Sequence, residues 1–164
     1  MANSLSISSL KNKVIKDLIN NNDIVTAIDS SEVTIPEHLF NTHIFDYHIN
    51  PYTINKAITF LTVQVHIPEA FHYDSNDIFV KPKVEIWIIS HIEHMRVNNI
   101  PKVKSNRNDY LSMLIDKELN GKDYGYGGLK LGMNIEGTFQ MDYAFRQMTF
   151  TTIDLNNSLC YEDV

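Results

Sequence analysis

Residues 81–120 constrain the fold more than any other stretch, because they encode a strong strand, a polar crossing segment and a strong helix in succession. In the strand, Val84, Ile86 and Ile88 alternate with other residues at period two and define one apolar face. In the helix, leucine and isoleucine recur at spacings of three and four over residues 111–119. A strand and a helix that each have one apolar face must bury that face against another element. The simplest arrangement is that the two apolar faces pack against each other.

The part of the chain before this stretch predicts two helices and a long connection. The first helix is expected from about Leu10, and a second, short helix is expected over residues 23–28 with Asp23 as its cap. Residues 30–52 contain two prolines and many apolar groups, so we interpret them as a connection packed over the edge of the core. A short helical turn is expected at residues 36–40.

Three further segments are predicted to be strands, and one is predicted to be a loop. Residues 59–67 alternate cleanly, with Leu61, Val63, Val65 and Ile67 on one face, which is typical of an antiparallel strand with one wetter face. Residues 68–77 are interpreted as a polar and aromatic loop. A short strand is predicted from Leu129 until Gly137 ends it, and a final central strand over residues 143–155.

The predicted order is therefore α-β-β-α-β-β. This order indicates a single α+β domain over residues 1–164, with an antiparallel (mixed) sheet of about four or more strands packed by two main helices. We expect an ordered core over residues 8–156 and frayed ends at residues 1–7 and 157–164.

The net charge and the cysteine content restrict the classes of function that the chain can have. The net charge of −6 opposes non-specific binding to nucleic acid, and the run Lys102, Lys104 and Arg107 is interpreted as a solvated loop. The single cysteine, Cys160, excludes an intramolecular disulfide. No signal-peptide core or membrane-length apolar run appears, so a cytoplasm-like environment without membrane contact is expected.

The motifs in the sequence predict no catalytic residues, no cofactor and no metal. His91 and His94 lack the pattern of the zinc protease motif, and residues three apart on a strand point to opposite faces. His66, on the polar face of a neighbouring strand, leaves a lower-ranked alternative: a small metal- or ligand-binding α+β domain using these three histidines. The glycines of residues 125–132 lack the Lys and Ser or Thr of a phosphate-binding loop, so we interpret them as a flexible turn.

Aromatic residues in and beside the predicted connections are the strongest candidates for contact with other subunits. Such residues are enriched at protein interfaces, although local packing is the alternative. The candidates are Phe71, Tyr73, Phe79, Tyr124, Tyr126, Phe139 and Tyr143.

Three groups of phrases carry a resemblance to a known family. They are VIKDLINNNDIVTAI near the start, ITFLTVQVHIP with VEIWIISH in the sheet, and RNDYLSMLIDKELNG, GGLKLGMN and YAFRQMTFTTIDLN in the second half. With this order of elements the chain resembles the tail terminator (tail-completion) proteins, neck proteins that join head and tail in long-tailed bacteriophages.

The resemblance implies a structural virion protein without enzymatic activity. Terminators form a ring, usually a hexamer of identical subunits, on the end of the tail tube, where they stop its polymerisation and dock to the head connector. The implied location is the head–tail junction of a virion assembled in the host cytoplasm. DNA would pass through such a ring without sequence-specific binding. The alternative in the same setting is a head-closure (stopper) protein, although stoppers tend to be small β-barrels and the two strong helices predicted here argue against one.

Overall fold

The computed structural model describes residues 4–30, 33–54, 56, 58–67, 70–73, 77–139, 141–152 and 159–160. Within these ranges the chain forms three α-helices, eight β-strands and short 3-10 turns. The helices are α1 (Ser4–Asn20), α2 (Asn22–Ile28) and α3 (Arg107–Leu119). The strands are β1 (Ile44–Phe45), β2 (Thr59–His66), β3 (Ala70–Tyr73), β4 (Asp77–Val80), β5 (Lys83–His91), β6 (Leu129–Phe139), β7 (Tyr143–Thr152) and β8 (Leu159–Cys160).

The strands form a main sheet and a small sheet. The main sheet has the order β1-β2-β5-β7-β6, and the small sheet has the order β3-β4-β8. Only the β1–β2 pair is parallel among the described pairs of strands. The mixed five-stranded sheet and three helices confirm the predicted α+β class.

The core lies between the main sheet and the helices. The register of β2 and β5 places Leu61 opposite Ile88 and Val63 opposite Ile86, so the apolar residues of both strands share one face. These four side chains are fully buried in one cluster with the apolar stripes of α1, α2 and α3. The expected mutual cover of strand β5 and helix α3 is therefore confirmed. We call this helix-covered face of the sheet the inner face and the opposite one the outer face.

The ends of α3 follow from local sequence. The side chain of Asn106 accepts a hydrogen bond of 2.8 Å from the Asp109 N–H, which satisfies a free donor of the first turn. Gly121 follows the helix with a φ of 84°, a conformation that favours glycine. Both ends of α3 are therefore set by residues that adjoin the helix in the sequence. None of the helices in the described part of the chain is long and apolar enough to cross a membrane.

The first two helices differ from their predicted limits. Helix α1 begins at Ser4 rather than near Leu10, and Ile7 extends its apolar stripe by one turn and packs against the core. The cap of α2 is Asn21 rather than Asp23, because the Asn21 side chain accepts the N–H of Asp23.

The expected loop over residues 68–77 instead contains β3 and the start of β4, which pair as a hairpin. Leu159 and Cys160, expected to be frayed, form β8 and pair with β4. Pairing of this kind is made by backbone groups, so hydrophobic periodicity does not reveal it. Residues 1–3, 157–158 and 161–164 lie outside the described part of the chain.

Strand β6 is longer than predicted. Gly137 lies inside the strand rather than ending it, and the Phe145 ring covers it so closely that a Cβ atom would lie 2.5 Å from Phe145 Cζ. The register shifts between Leu131 and Met133, where one extra residue forms a bulge. Strand β7 lies between β5 and β6, which confirms its predicted central position. Its predicted extension over residues 153–155 lies outside the described residues.

The connection of residues 33–54 packs over the edge of the sheet, as predicted. It contains the expected helical turn, a 3-10 turn at Pro36–Leu39, and also β1, which pairs in parallel with β2 and was not predicted. The chain then contributes to a small second core on the outer face of the sheet. The buried members of this core are Phe45, Phe60, Ile89 and Tyr143.

Candidate assembly surface

Three of the predicted contact aromatics lie in the hairpin of β3 and β4. Phe71 is directly opposite Phe79, and Tyr73 is opposite Asp77 near the tip. The hairpin is inserted in the chain between the two long strands β2 and β5. The side chains of the hairpin lie outside the described part of the structure, so their contact role stays a prediction.

Three others, Tyr124, Tyr126 and Tyr143, are buried within the chain itself. Tyr124 Oη donates a 2.6 Å hydrogen bond to Asp17 Oδ2 on α1, and burial together with this carboxylate raises the pKa of Tyr124. Tyr143 Oη donates a 3.1 Å hydrogen bond to the Ile54 carbonyl. These rings anchor loops to the core of the chain, so they expose little area to another subunit.

The turn at residues 123–128 was expected to be flexible, but it is held by its own side chains. The Asp123 carboxylate accepts hydrogen bonds from the N–H groups of Gly125 at 2.7 Å and Gly127 at 3.1 Å. Both glycines have positive φ, so they allow the turn to bring Tyr124 onto α1. The glycine-rich sequence therefore supports a fixed tyrosine anchor rather than a mobile loop.

Phe139, the remaining candidate, belongs to an aromatic cluster on the outer face of the sheet. We define the outer aromatic cluster as Trp87, Phe139 and Phe145, which are all half-buried. The ring centroids of Trp87 and Phe145 are 4.8 Å apart, as are those of Phe139 and Phe145. Trp87 Nε1 donates a 2.6 Å hydrogen bond to Glu85, which fixes the indole. Trp87 and Phe145 are not among the predicted contact aromatics because they lie within strands, although period-two alternation places them on the less apolar face.

The outer edge of β6 is open along most of its length. At one end the Leu129 N–H donates a 2.9 Å hydrogen bond to the Lys122 carbonyl. The other end is where β6 stops at Phe139, whose carbonyl accepts a 2.8 Å hydrogen bond from Tyr52 Oη. Between these ends no described strand pairs with the outer edge over residues 132–138. A row of free backbone donors and acceptors is a template for another strand.

The side chains of this edge do little to block another chain. Ile135, at the middle of the strand, is 45% exposed on the outer face. Glu136 is the only charged residue between Gly132 and Phe139, and it forms an ion pair of 3.0 Å with Arg146 of the neighbouring strand. Edge strands of monomeric proteins usually carry lysine, proline or a covering segment against such pairing. We therefore take this edge as the candidate assembly surface.

The three candidate histidines do not converge. His66 is paired with Lys83 at one end of the β2–β5 ladder, whereas His91 and the turn containing His94 lie at the other end, beyond the Thr59–Ser90 pair. Among the described residues, no group of three or more histidine, cysteine or carboxylate side chains could hold a metal ion.

His94 nevertheless belongs to a chain of polar groups that resembles an acid–imidazole–hydroxyl arrangement. Its Nε2 lies 3.6 Å from Asp29 Oδ2, and its Nδ1 lies 2.9 Å from Thr59 Oγ1, which in turn lies 2.7 Å from Ser90 Oγ. Burial, reinforced by the positive charge of Arg107, lowers the pKa of His94. Both hydroxyl residues are fully buried, so a substrate has no access to them. The arrangement connects α2 to the sheet.

Arg107 completes this network and is only 1% exposed, so the solvated-loop interpretation is wrong for this residue. Lys102 and Lys104 of the same run are exposed, as expected. Its guanidinium donates hydrogen bonds to the carbonyls of Ala27 at 2.5 Å, His94 at 2.7 Å and Arg96 at 2.8 Å, and to Asp29 at 3.1 Å. Ala27 is in the last turn of α2, where a cation stabilises free carbonyl groups. The sequence gives one signal of this role, the position of Arg107 as first residue of α3 directly after a capping asparagine.

Two shallow depressions contain clustered charges, and in each of them a cation of the chain is paired with carboxylates. In a depression of about 270 Å³, the carboxylates of Asp17 and Glu118 bind Lys122 Nζ at 3.0 and 2.8 Å. In one of about 240 Å³, Arg146 is paired with Asp109. These ion pairs use side chains of the chain itself, and the carboxylates outnumber the cations in both depressions.

Comparison of the chain with curated protein sequences gives no significant match. The sequence model of the YomW family matches residues 12–152, a range that reaches from α1 to the end of β7. The matched range contains the whole main sheet and its open β6 edge. The chain therefore belongs to the YomW family, a family of phage-derived proteins.

Proposed function

We propose that the protein is a structural component of the phage particle at the head–tail junction. Its most specific role would be that of the tail terminator, which forms a ring on the end of the tail tube, stops its polymerisation and docks to the head connector. The phage-derived family and the resemblance of the sheet and helix phrases to terminators support this role.

The observation that carries the proposal is the open outer edge of β6. An 11-residue edge strand with an exposed isoleucine, along which no described strand pairs over residues 132–138, would promote unwanted association of a monomer and suits a subunit of an assembly. A ring of identical subunits uses such a surface because heterologous contacts that close by rotation satisfy every copy. The net charge of −6 suits a protein that surrounds passing DNA, because the negative charges of the protein and of the DNA repel each other.

The rival functions have less support. Head-closure proteins tend to be small β-barrels, whereas this chain forms an open sheet covered by three helices. An enzyme using the histidines would need an accessible nucleophile or a metal site, whereas Thr59 and Ser90 beside His94 are fully buried. We therefore propose a role in which no bond is made or broken.

The direct test uses the purified protein and tail tubes assembled from the tube protein of the same phage. Native mass spectrometry and negative-stain imaging should show closed rings, and the rings should cap tube ends and stop further growth of the tubes. A protein that remains a monomer at all concentrations and never binds tube ends would refute the terminator role.

Metal analysis of the same sample addresses the lower-ranked alternative. Elemental analysis should give much less than one zinc per chain after purification without chelator. Stoichiometric zinc that is lost in a variant with His91 and His94 replaced by alanine would contradict the structural role and favour a metal-binding domain.

A further inference from the structure

We propose that two copies of the free chain pair through the open edge of β6, antiparallel and about a two-fold axis that passes between their Ile135 residues. This inference goes beyond the proposed function, because it concerns the chain before it meets a tail tube. The edge is accessible to another molecule, since four residues near its middle are exposed. They are Asn134, Ile135, Glu136 and Thr138.

The pairing of β5 with β7 shows which backbone groups of β6 face the open edge. The Ile92 N–H donates a 2.8 Å hydrogen bond to the Asp142 carbonyl, directly beyond the end of that ladder. Hydrogen-bonded pairs recur at every second position of an antiparallel ladder, so Ile88 and Arg146 are also such a pair. Arg146 thus directs its backbone groups toward β5. Glu136, its neighbour on the other side, directs its own N–H and C=O toward the open edge.

The same alternation applies two positions away, so Asn134 and Thr138 also direct their backbone groups toward the open edge. Opposed residues share a face of the sheet, and therefore the side chains of these two residues and of Glu136 lie on the inner face with that of Ile88. The side chain of Ile135 lies on the outer face. In an antiparallel pair, residues that exchange both hydrogen bonds carry their side chains on the same face. A second copy that pairs in this way continues the sheet, with the helices of both copies on one face.

The open part of β6 is centred on Ile135, the middle residue of the range 132–138. A two-fold axis at Ile135 therefore opposes the open range of one copy to the open range of the other along its whole length. In this register Asn134 of each copy is opposite Glu136 of the other, and both residues direct their backbone groups at the contact. An axis at Glu136 would instead oppose two carboxylates, and like charges in direct opposition destabilise a pair of strands.

Arg146 holds the inner-face side chains of the contact in place for this register. Its Nη1 donates a 3.0 Å hydrogen bond to Asn134 Oδ1, and its Nη2 donates one of 3.0 Å to Glu136 Oε2. The Asn134 amide keeps its N–H donors free, and Glu136 Oε1 accepts no hydrogen bond from the described residues. In the two-fold register the free donor of each copy faces the free carboxylate oxygen of the other. The edge is thus complementary to itself.

The outer face of the contact is apolar. The two Ile135 side chains meet at the axis, and each is 45% exposed in a single chain, so their contact removes apolar surface from water. On either side of this pair, Met133 of each copy is opposite Gly137 of the other. The Phe145 ring lies over Gly137, and a thioether packs favourably against an aromatic ring.

The two-fold pair and the proposed ring use the same edge, so one excludes the other. A two-fold contact uses the same patch in both copies and closes after two, whereas a ring of more copies joins two different patches of each. The pair must therefore separate before its chains form a ring on a tube end. Until then it covers an edge that would otherwise pair with unrelated strands.

The first experiment is disulfide formation at the axis, with the free protein and no tail tubes. In a Cys160→Ser background, Ile135→Cys should give a cross-linked dimer under mild oxidation. Opposed residues of a non-hydrogen-bonded antiparallel pair have Cα atoms about 4.5 Å apart, a distance that a disulfide spans. The matched control, Met113→Cys, places the thiol at an exposed position of α3. No cross-link at Ile135→Cys, or one that forms no faster than in the control, would overturn the inference.

The second experiment tests the register without a covalent bond, by sedimentation velocity over a range of concentrations. Asn134→Asp replaces the amide donor with a carboxylate opposite Glu136 at two places in the contact, and should raise the dissociation constant of the dimer about tenfold. Adding Glu136→Gln to Asn134→Asp restores a donor opposite each carboxylate and keeps acceptors for Arg146, so it should restore the dimer. An Asn134→Asp protein that dimerises as tightly as the unchanged chain would overturn the inference.

These outcomes separate the inference from the proposed function. A free chain that stays monomeric but forms rings on tube ends would refute the two-fold pair and leave the terminator role intact. A free chain that forms the Ile135 cross-link and never binds tube ends would support the pair and refute the terminator role.

Discussion

The replacement of Arg107 with alanine tests the largest unexpected feature of the core. The change leaves three backbone carbonyls, those of Ala27, His94 and Arg96, without their charged donor, and it leaves the Asp29 carboxylate without its 3.1 Å partner. A buried acceptor without a partner costs about 1–3 kcal/mol. Water can reach the more exposed Asp29, so we expect a total loss of about 3–5 kcal/mol, as for other broken buried ion pairs. This loss is a large share of the roughly 5–15 kcal/mol that stabilises a domain.

Urea denaturation followed by circular dichroism measures this loss. Arg96→Ala is the matched control, because the Arg96 side chain is exposed and only its carbonyl takes part in the network, so the change should stay within about 0.5 kcal/mol. Arg107→Lys keeps the charge but not the planar set of donors, and should fall between the two. A loss below about 1 kcal/mol for Arg107→Ala would show that the guanidinium does not hold α2 to the sheet.

Three further predictions concern the sheet and the polar network. Ile86→Asp should abolish soluble folding, because it buries an unpaired charge at a position with 0% exposure, and the soluble yield measures this. Gly137→Ala should displace the Phe145 ring, shift the fluorescence of Trp87, the single tryptophan, and cost about 1 kcal/mol. Burial lowers the pKa of His94, so the unfolded chain binds its proton at higher pH, and the free energy of unfolding should fall as pH drops below about 6.5 until the folded form is also protonated.

Each of these predictions has a control within the chain. Met113→Asp places the same charge at an exposed position of α3 and should fold normally; a soluble, folded Ile86→Asp protein would mean that the faces of β5 are reversed. Gly132→Ala adds a Cβ whose nearest neighbour is 3.7 Å away and should leave the fluorescence unchanged. His94→Gln should flatten the pH profile relative to the unchanged chain, and identical profiles would contradict the assignment to His94.

Local patterns in the chain were enough to assign the class of fold and its main elements. Val84, Ile86 and Ile88 share a buried face because alternation along a strand is a property of the backbone and needs no knowledge of partners. The cap of α3 at Asn106 is equally local, since the groups that bind each other are three residues apart.

Other features depend on residues that are distant in the chain. Arg107 looks like part of a basic loop, and it is buried because the end of α2, 80 positions away, supplies carbonyls for its guanidinium. Tyr124 and Tyr143 look like exposed loop aromatics, and distant acceptors place both inside the core. The strand order, which leaves β6 at the edge, likewise arises from long-range pairing of backbones. Side-chain periodicity shows which face of an element is apolar, but it does not show which strands become neighbours, because neighbouring strands are joined by backbone groups that every residue carries.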